Sequence, residues 1–171
     1  MDLVRCYIGL GSNLGNPIQQ VLVAIEELAR LPQTQQVLSS SLYRSPPLGP
    51  QDQPDYINAV VEINTRLSAQ ELLCQLLDIE QRHGRIRGAR RWTARTLDMD
   101  ILMYGQQIIE TAELSIPHPG IAERNFVLYP LQEISPALRV PQLGLITQLI
   151  AGCDQGDLVK LQLEVSRKSI N

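Results

Sequence analysis

The 171-residue sequence contains no long apolar run, no cysteine framework and no leader-like start. No segment approaches the roughly 20 apolar residues of a membrane-spanning helix, so we expect no membrane partner. The first five residues lack the positive start and apolar stretch of a signal peptide, which predicts a cytoplasmic protein. Three cysteines, Cys6, Cys74 and Cys153, are odd in number and widely spaced, and they predict reduced core thiols rather than disulfides or metal ligands.

No internal repeat, low-complexity tract or linker interrupts the chain, and its length is typical of one domain. Hydrophobic residues make up 44% of the sequence and charged residues 19%. This is enough apolar material for a core and too little charge to favour disorder. We therefore expect a single globular domain over residues 1–171.

The net charge of −3 argues against a general nucleic-acid binder, but the charge is unevenly distributed. Segment 82–95 carries +6 and contains no acidic residue, so the remaining residues carry −9. Its six arginines are Arg82, Arg85, Arg87, Arg90, Arg91 and Arg95. A local cationic segment on an acidic protein favours one small polyanion over a long one.

Hydrophobic periodicity predicts the order strand, helix, strand, strand, helix, strand. The strands are expected over 3–9, 36–43, 57–63 and 97–104. The first helix begins with Asn16 as its cap and Pro17 in its first turn. The second begins with a capping box from Ser68 to Glu71. This order is that of a ferredoxin-like βαββαβ core, an α+β fold with both helices on one face of an antiparallel sheet. C-terminal additions, a short hairpin and a helix over 143–151, complete the prediction.

Asp98 and Asp100 alternate with apolar residues in the last core strand. The predicted buried face holds Leu97, Met99, Ile101 and Met103. Residues i and i+2 of a strand point the same way, about 6 to 7 Å apart, so the two carboxylates can converge on a metal. Mg²⁺ accepts one or two carboxylates with water and phosphate oxygens. A solvated strand face is the simpler explanation for an isolated pair, and the preceding arginines, which could neutralise a triphosphate, favour the metal site.

Two glycines, Gly84 and Gly88, make the arginine segment resemble a lid, although a solvated basic loop has the same composition. Trp92, the only tryptophan, lies inside it and could be a core residue or could close over a ring.

Glycines 9, 11 and 15 resemble a phosphate-binding loop only superficially. Leu14 occupies the third position of the dinucleotide fingerprint, and no Gly-Lys-Ser/Thr follows. We interpret this stretch as a tight turn from strand to helix.

Four further residues are ordinary when taken alone. His118 in a proline-rich loop could meet a phosphate or bond locally. The other three have ordinary structural roles: Tyr56 could be an aromatic residue of the sheet, Asn58 a surface amide and Phe126 an aromatic residue of the core.

The stretch 91–102 resembles the 6-hydroxymethyl-7,8-dihydropterin pyrophosphokinase family of folate synthesis. The likeness continues through Gly11-Ser12-Asn13 and segments 43–47, 53–58, 80–87, 116–119 and 123–128. It covers roughly residues 4–150, and residues 154–171 lie outside it. It implies transfer of the terminal pyrophosphoryl unit of ATP to the hydroxymethyl group of the pterin, with release of AMP.

The resemblance also implies roles for individual residues. Asp98 and Asp100 would bind two Mg²⁺ ions that bridge the phosphates of ATP. Arg85 and Arg95 would contact the phosphates, and Arg87 and Trp92 would act from the lid. The implied pterin-binding set is Ser45, Pro46, Leu48, Tyr56, Asn58 and Phe126. The implied nucleotide-binding set is Glu80, Arg85, Arg87, Arg95, Ile101, Ser115, His118 and Arg124.

Two positions depart from the family pattern. Gly120 and Glu113 stand where many or some relatives carry a basic residue, so fewer cationic contacts to the nucleotide are expected.

Two other functions are compatible with these sequence features. A nucleotide-sugar transferase also uses Asp-x-Asp, and a nucleic-acid or nucleotide binding module could use the arginines. The resemblance favours an enzyme with small-molecule substrates and no nucleic-acid partner, and a monomer is the default expectation.

Overall fold

The computed structural model describes residues 2–84 and 96–162. Its strands are β1 (Val4–Ser12), β2 (Thr34–Ser39), β3 (Tyr43–Ser45), β4 (Tyr56–Thr65), β5 (Asp98–Tyr104), β6 (Ile109–Glu110), β7 (Ser115–Ile116), β8 (Arg139–Val140), β9 (Gly144–Leu145) and β10 (Val159–Lys160). Its α-helices are α1 (Pro17–Ala29), α2 (Ala69–Arg82), α3 (Asn125–Ile134) and α4 (Ile146–Ala151). Within these residues, no helix is long and apolar enough to cross a membrane.

A mixed α/β architecture is built on one antiparallel sheet. Its strands lie in the order β10-β3-β4-β1-β5, and β2 also pairs with β4. Two small hairpins, β6–β7 and β8–β9, lie between β5 and β10 in the chain. The central position of β1, between β4 and β5, brings residues far apart in sequence into the same rows across the sheet.

Both predicted helix starts are confirmed. Asn16 Oδ1 accepts a hydrogen bond from Gln19 N, and Pro17 is the first residue of α1. Ser68 Oγ accepts from Glu71 N at 3.1 Å, and Glu71 Oε2 accepts from Ser68 N at 2.7 Å. These bonds satisfy backbone groups that have no partner within the helix.

The two predicted core helices, α1 and α2, lie on the same face of the sheet, and α3, which the sequence analysis did not predict, covers the other face. Side chains of α1 and α2 pack with Ile8, Val61 and Ile101 in one core cluster. Those of α3 pack with Tyr7 and Val60 in a second cluster on the other face. The sequence prediction missed α3 because Pro130 lies within it. The helix tolerates this proline because its apolar side recurs at helical spacing and is buried: Val127, Leu128, Leu131 and Ile134.

Strand boundaries differ from the prediction in two places. The predicted strand 36–43 is two strands, β2 and β3, and the break contains Ser40, whose hydroxyl accepts from Val60 N at 2.9 Å. The side chain thus replaces part of the ladder. In the other case, β1 continues to Ser12, so Gly9 and Gly11 belong to a strand and the predicted turn begins only after them.

Met103 does not lie on the face that alternation predicts. The register between β1 and β5 shifts, since Ile8 pairs with Ile101 while Tyr7 pairs with Met103. Leu102 is the additional residue of this bulge, and Leu102 and Met103 both pack in the second core cluster. The alternation before the bulge is preserved, so Met99 and Ile101 are buried on one side while Asp98 and Asp100 remain on the other.

The capping box makes a stability prediction. Ser68→Ala should lower the free energy of unfolding by about 1 kcal/mol, because it leaves Glu71 N without its side-chain acceptor. Urea denaturation measures this loss. Gln70→Ala, an exposed change in the same helical turn, is the matched control. Equal midpoints for the two variants would contradict the assigned cap.

Candidate active site

A cavity of about 280 Å³ lies where β1, β4 and β5 meet the beginning of α3. It opens on the face of the sheet opposite α1 and α2. Side chains from five separate segments line it: Ser45, Pro46, Leu48, Tyr56, Asn58, Asp98, Asp100, Leu102, His118, Arg124, Phe126 and Val127. Carboxylates, an amide and aromatic rings therefore share one space.

The floor of the cavity is a row of paired residues across three strands. Gly11 pairs with Asn58 on β4 and with Asp98 on β5. Gly9 pairs with Val60 and Asp100 in the same way. Because directly opposed residues point to the same face, Asn58 and Asp98 flank a position without a side chain. Two strand spacings separate them by roughly 10 Å at the backbone.

The glycines at the centre of this row keep the floor open. A Cβ atom at Gly11 would lie 3.5 Å from Asn58 Oδ1 and 3.6 Å from Tyr56 Cδ1. A Cβ atom at Gly9 would lie 3.3 Å from Leu102 Cδ2. A methyl group at residue 11 would thus occupy space between the amide and the aromatic ring that line the cavity.

Asp98 and Asp100 begin β5 and both line the cavity. Between them, Met99 N donates a 2.7 Å hydrogen bond to the buried carboxylate of Glu80 on α2. This bond fixes the backbone that carries the pair. Within the described ranges, no group of three or more His, Cys, Asp or Glu residues could hold a metal ion. The candidate metal ligands are the Asp98 and Asp100 carboxylates, and Mg²⁺ commonly completes such a site with water and phosphate oxygens.

The Asn58 amide is oriented by two bonds to β3. Its Nδ2 donates to Tyr43 O at 3.3 Å and to Ser45 Oγ at 2.8 Å. Both amide hydrogens are engaged in this way, so Asn58 Oδ1, beside Gly11, is the atom that can accept from a ligand. Asn58 is 4% exposed, which makes this orientation costly to lose.

His118 lies in the loop after β7 and faces the carboxylate pair. Its backbone N donates to Leu102 O at 2.9 Å, and its Nδ1 accepts from Gly120 N at 3.0 Å. Its Nε2 is 3.8 Å from Asp100 Oδ2. Burial lowers the pKa of His118, the nearby Arg124 guanidinium lowers it further, and Asp98 opposes them. The ring is therefore held neutral near pH 7, with its proton on Nε2 because Nδ1 is an acceptor.

Two residues missed by the sequence prediction anchor the segments around the cavity. Ser12 Oγ donates to Thr96 O, just before β5. Asn13 Nδ2 donates to Pro54 O at 3.0 Å and so holds the loop between β3 and β4. A serine that ends a glycine-rich strand and the asparagine that follows it are the signal that could have indicated such anchors.

Ten of the residues expected at the site line the cavity. They are Ser45, Pro46, Leu48, Tyr56, Asn58, Asp98, Asp100, His118, Arg124 and Phe126. The Arg124 guanidinium also lies 5.9 Å from the centroid of the Phe126 ring.

Three expected residues do not line the cavity. Glu80 is 2% exposed and supports β5 from α2, and the Ile101 side chain belongs to the first core cluster. Ser115 lies in β7. Arg85, Arg87, Trp92 and Arg95 lie outside the described residues.

Comparison with known proteins gives consistent matches. The family model for 7,8-dihydro-6-hydroxymethylpterin-pyrophosphokinase (HPPK) matches residues 7–136. Two similar proteins are each named 2-amino-4-hydroxy-6-hydroxymethyldihydropteridine pyrophosphokinase. The one from Haemophilus influenzae is 46% identical, over 93% of this chain and 99% of its own length. The one from Pseudomonas aeruginosa is 44% identical, over 87% of this chain and 91% of its own length.

A solved structure, Plasmodium falciparum HPPK-DHPS wild type with pteroate, matches with a TM-score of 0.70. The match covers 88% of this chain at 14% identity and spans 42% of the Plasmodium chain. At this identity the likeness concerns the fold alone.

The environment of His118 predicts its titration. In the unliganded protein its NMR titration midpoint should lie below 6.5, because burial and Arg124 disfavour the imidazolium form. Arg124→Gln should raise the midpoint, since it removes a nearby positive charge. His83 is the only other histidine, so a His83→Asn variant assigns the signals. A midpoint above 6.5, or one unaffected by Arg124→Gln, would contradict this account.

Proposed function

The chain belongs to the 7,8-dihydro-6-hydroxymethylpterin-pyrophosphokinase family, and from that premise we propose that the cavity between β1, β4, β5 and α3 is its active site. The reaction of the family is its reaction: pyrophosphate passes from ATP to the hydroxymethyl group of 6-hydroxymethyl-7,8-dihydropterin, in folate synthesis. One observation carries the proposal. The carboxylate pair and the set Tyr56, Asn58 and Phe126 open into the same cavity, in which Gly11 of β1 lies between Asn58 of β4 and Asp98 of β5.

The pterin occupies the Asn58 side of the cavity in this proposal. A flat heterocycle gains from contact with the faces of Tyr56 and Phe126. Asn58 Oδ1 accepts from an N–H group on the ring edge, because both amide hydrogens already bond to β3. The site therefore selects a ring whose edge donates hydrogen bonds, and a ring with only acceptors there would leave a buried oxygen unsatisfied.

The phosphates of ATP occupy the Asp98 and Asp100 side. The donor set fits Mg²⁺, since both groups are carboxylates on one side of one strand. When bound, the metal neutralises phosphate charge that two carboxylates alone would repel. Arg124 places a guanidinium at the same cavity. The neutral His118 has its Nε2–H on the side of Asp100, where it can donate to a phosphate oxygen of ATP. Transfer of this kind depends on positioning and charge neutralisation, so no protein nucleophile is needed.

Further parts of the proposal rest on the sequence resemblance. We include a second Mg²⁺, phosphate contacts from Arg85 and Arg95, closure by Arg87 and Trp92, and adenine contacts near Ile101 and Ser115. Glu80 acts indirectly in this proposal, through β5. We also propose one domain over 1–171 that acts as a monomer in the cytoplasm. A ferredoxin-like core is supported by the order of β1, α1, β2/β3, β4, α2 and β5 and by their antiparallel neighbours.

The carboxylate pair gives the first functional test. Asp98→Asn and Asp100→Asn should each reduce AMP formation at least about 100-fold, because charge stabilisation at the phosphates is lost. Product analysis with ATP, Mg²⁺ and the pterin measures this, and circular dichroism checks the fold. Asp157→Asn, which changes an exposed carboxylate that does not line the cavity, is the matched control. ADP as the product, or full activity in both variants, would refute the proposed site.

The glycine row gives a second test. Gly11→Ala should raise the KM for the pterin by roughly tenfold, because the methyl group fills space beside Asn58 and Tyr56. Gly15 is the matched control: its φ is +68° and nothing lies within 4 Å of a Cβ placed there. Gly15→Ala should cost about 1 kcal/mol of stability and leave the pterin KM unchanged. The reverse pattern would contradict the position of the pterin.

A further inference from the structure

We propose that Glu133, on α3, is a positioning residue for the pterin and acts through β3 on the Asn58 amide. This inference rests on the proposed pterin site. Glu133 does not line the cavity, so its effect must pass through the residues that it bonds.

Glu133 joins three segments through one carboxylate. Its Oε1 accepts a hydrogen bond from Ser41 N, and its Oε2 accepts from Tyr43 Oη at 3.0 Å. Lys160 Nζ on β10 lies 2.9 Å from the same Oε2. Ser41 lies in the break between β2 and β3, and Tyr43 begins β3, so Glu133 holds both sides of the point where β3 starts.

The carboxylate is held in its charged form. Burial raises the pKa of Glu133, but the hydrogen bonds from Ser41, Lys160 and Tyr43 outweigh burial, and the net pKa is lowered. Hydrogen bonds to an ionised acceptor are stronger than those between neutral groups. The Lys160 side chain is 53% exposed, whereas that of Glu133 is 21% exposed. Solvent therefore screens the charge interaction between Lys160 and Glu133.

The strand that Glu133 holds is the one that orients Asn58. β3 has only three residues, and Tyr43 pairs with Asn58 while Ser45 pairs with Tyr56. Both acceptors of the Asn58 amide, Tyr43 O and Ser45 Oγ, belong to it. A strand of this length has few ladder bonds, even though it pairs with both β4 and β10, so the bonds that Glu133 makes at its start add to what holds its register.

Glu133 also ties this strand to the opposite wall of the cavity. Phe126 and Glu133 are seven residues apart on α3, which is two turns, so they lie on the same side of the helix. Helix α3 thus carries both Phe126, which contacts the pterin ring in the proposed site, and Glu133, which bonds to the strand β3 that orients the Asn58 amide. Loss of the Glu133 carboxylate would therefore loosen the connection between α3, which carries Phe126, and β3, which orients Asn58.

The test separates binding of the pterin from binding of ATP. Glu133→Gln keeps the size of the side chain but removes its charge. It should raise the KM and the equilibrium Kd for 6-hydroxymethyl-7,8-dihydropterin about tenfold. The KM for ATP and kcat should change less than about twofold, because the metal and phosphate groups are not touched. Glu26→Gln, at an exposed position of α1, is the matched control.

A second variant decides the question if Glu133→Gln fails to fold. Tyr43→Phe removes only the bond to Oε2 and should raise the pterin KM about threefold with the ATP KM unchanged. An unchanged pterin KM in the folded variants, or equal changes in the KM values for pterin and ATP, would overturn the inference. Asn58→Ala keeps the two proposals distinguishable. If it abolishes pterin binding while Glu133→Gln does not weaken it, only the role of Glu133 is wrong; if Asn58→Ala has no effect, the proposed pterin site is wrong.

Discussion

The register of β1 between β4 and β5 is the constraint on which the site depends. It places Gly11 between Asn58 and Asp98, and Gly9 between Val60 and Asp100. A slip of one residue in either ladder would turn the Asn58 side chain or the aspartate side chains towards the core under α1 and α2. The alternating apolar residues Met99 and Ile101 prevent that slip, because they are buried against α2 and its neighbours. Burial of the apolar side chains on one face of the sheet therefore determines which polar side chains face the cavity on the other.

The two faces of the sheet have different tasks. The face under α1 and α2 is mainly apolar. It also holds the buried carboxylate of Glu80 on α2, which supports β5 by accepting a hydrogen bond from Met99 N, between the two aspartates. The other face is only partly covered, by α3 and α4, and the cavity lies where that cover ends. Rigid strands thus present the polar groups, while the helix and the loops close around them. This division suits a reaction that depends on positioning and charge neutralisation.

Much of this could be predicted from the sequence. The capped starts of both core helices followed from Asn16, Pro17 and Ser68, since a cap is a local hydrogen-bond pattern. The direction of Asp98 and Asp100 followed from strand alternation. Neither pattern identifies a substrate, and the pterin residues were found only through the resemblance to a family. Alternation also failed locally at Leu102, because a bulge is a property of two paired strands rather than of one.

What the sequence determined by itself is local: periodicity, caps, the carboxylate pair and the motifs that indicate the family. The tertiary structure decided which residues meet. It brought α3 to the second face despite Pro130, divided the predicted strand 36–43 into β2 and β3, and placed Glu133 beside Tyr43 and Ser41. These contacts join residues about 90 positions apart. Their energy comes from burial and charge in the folded state, which no short stretch of sequence contains.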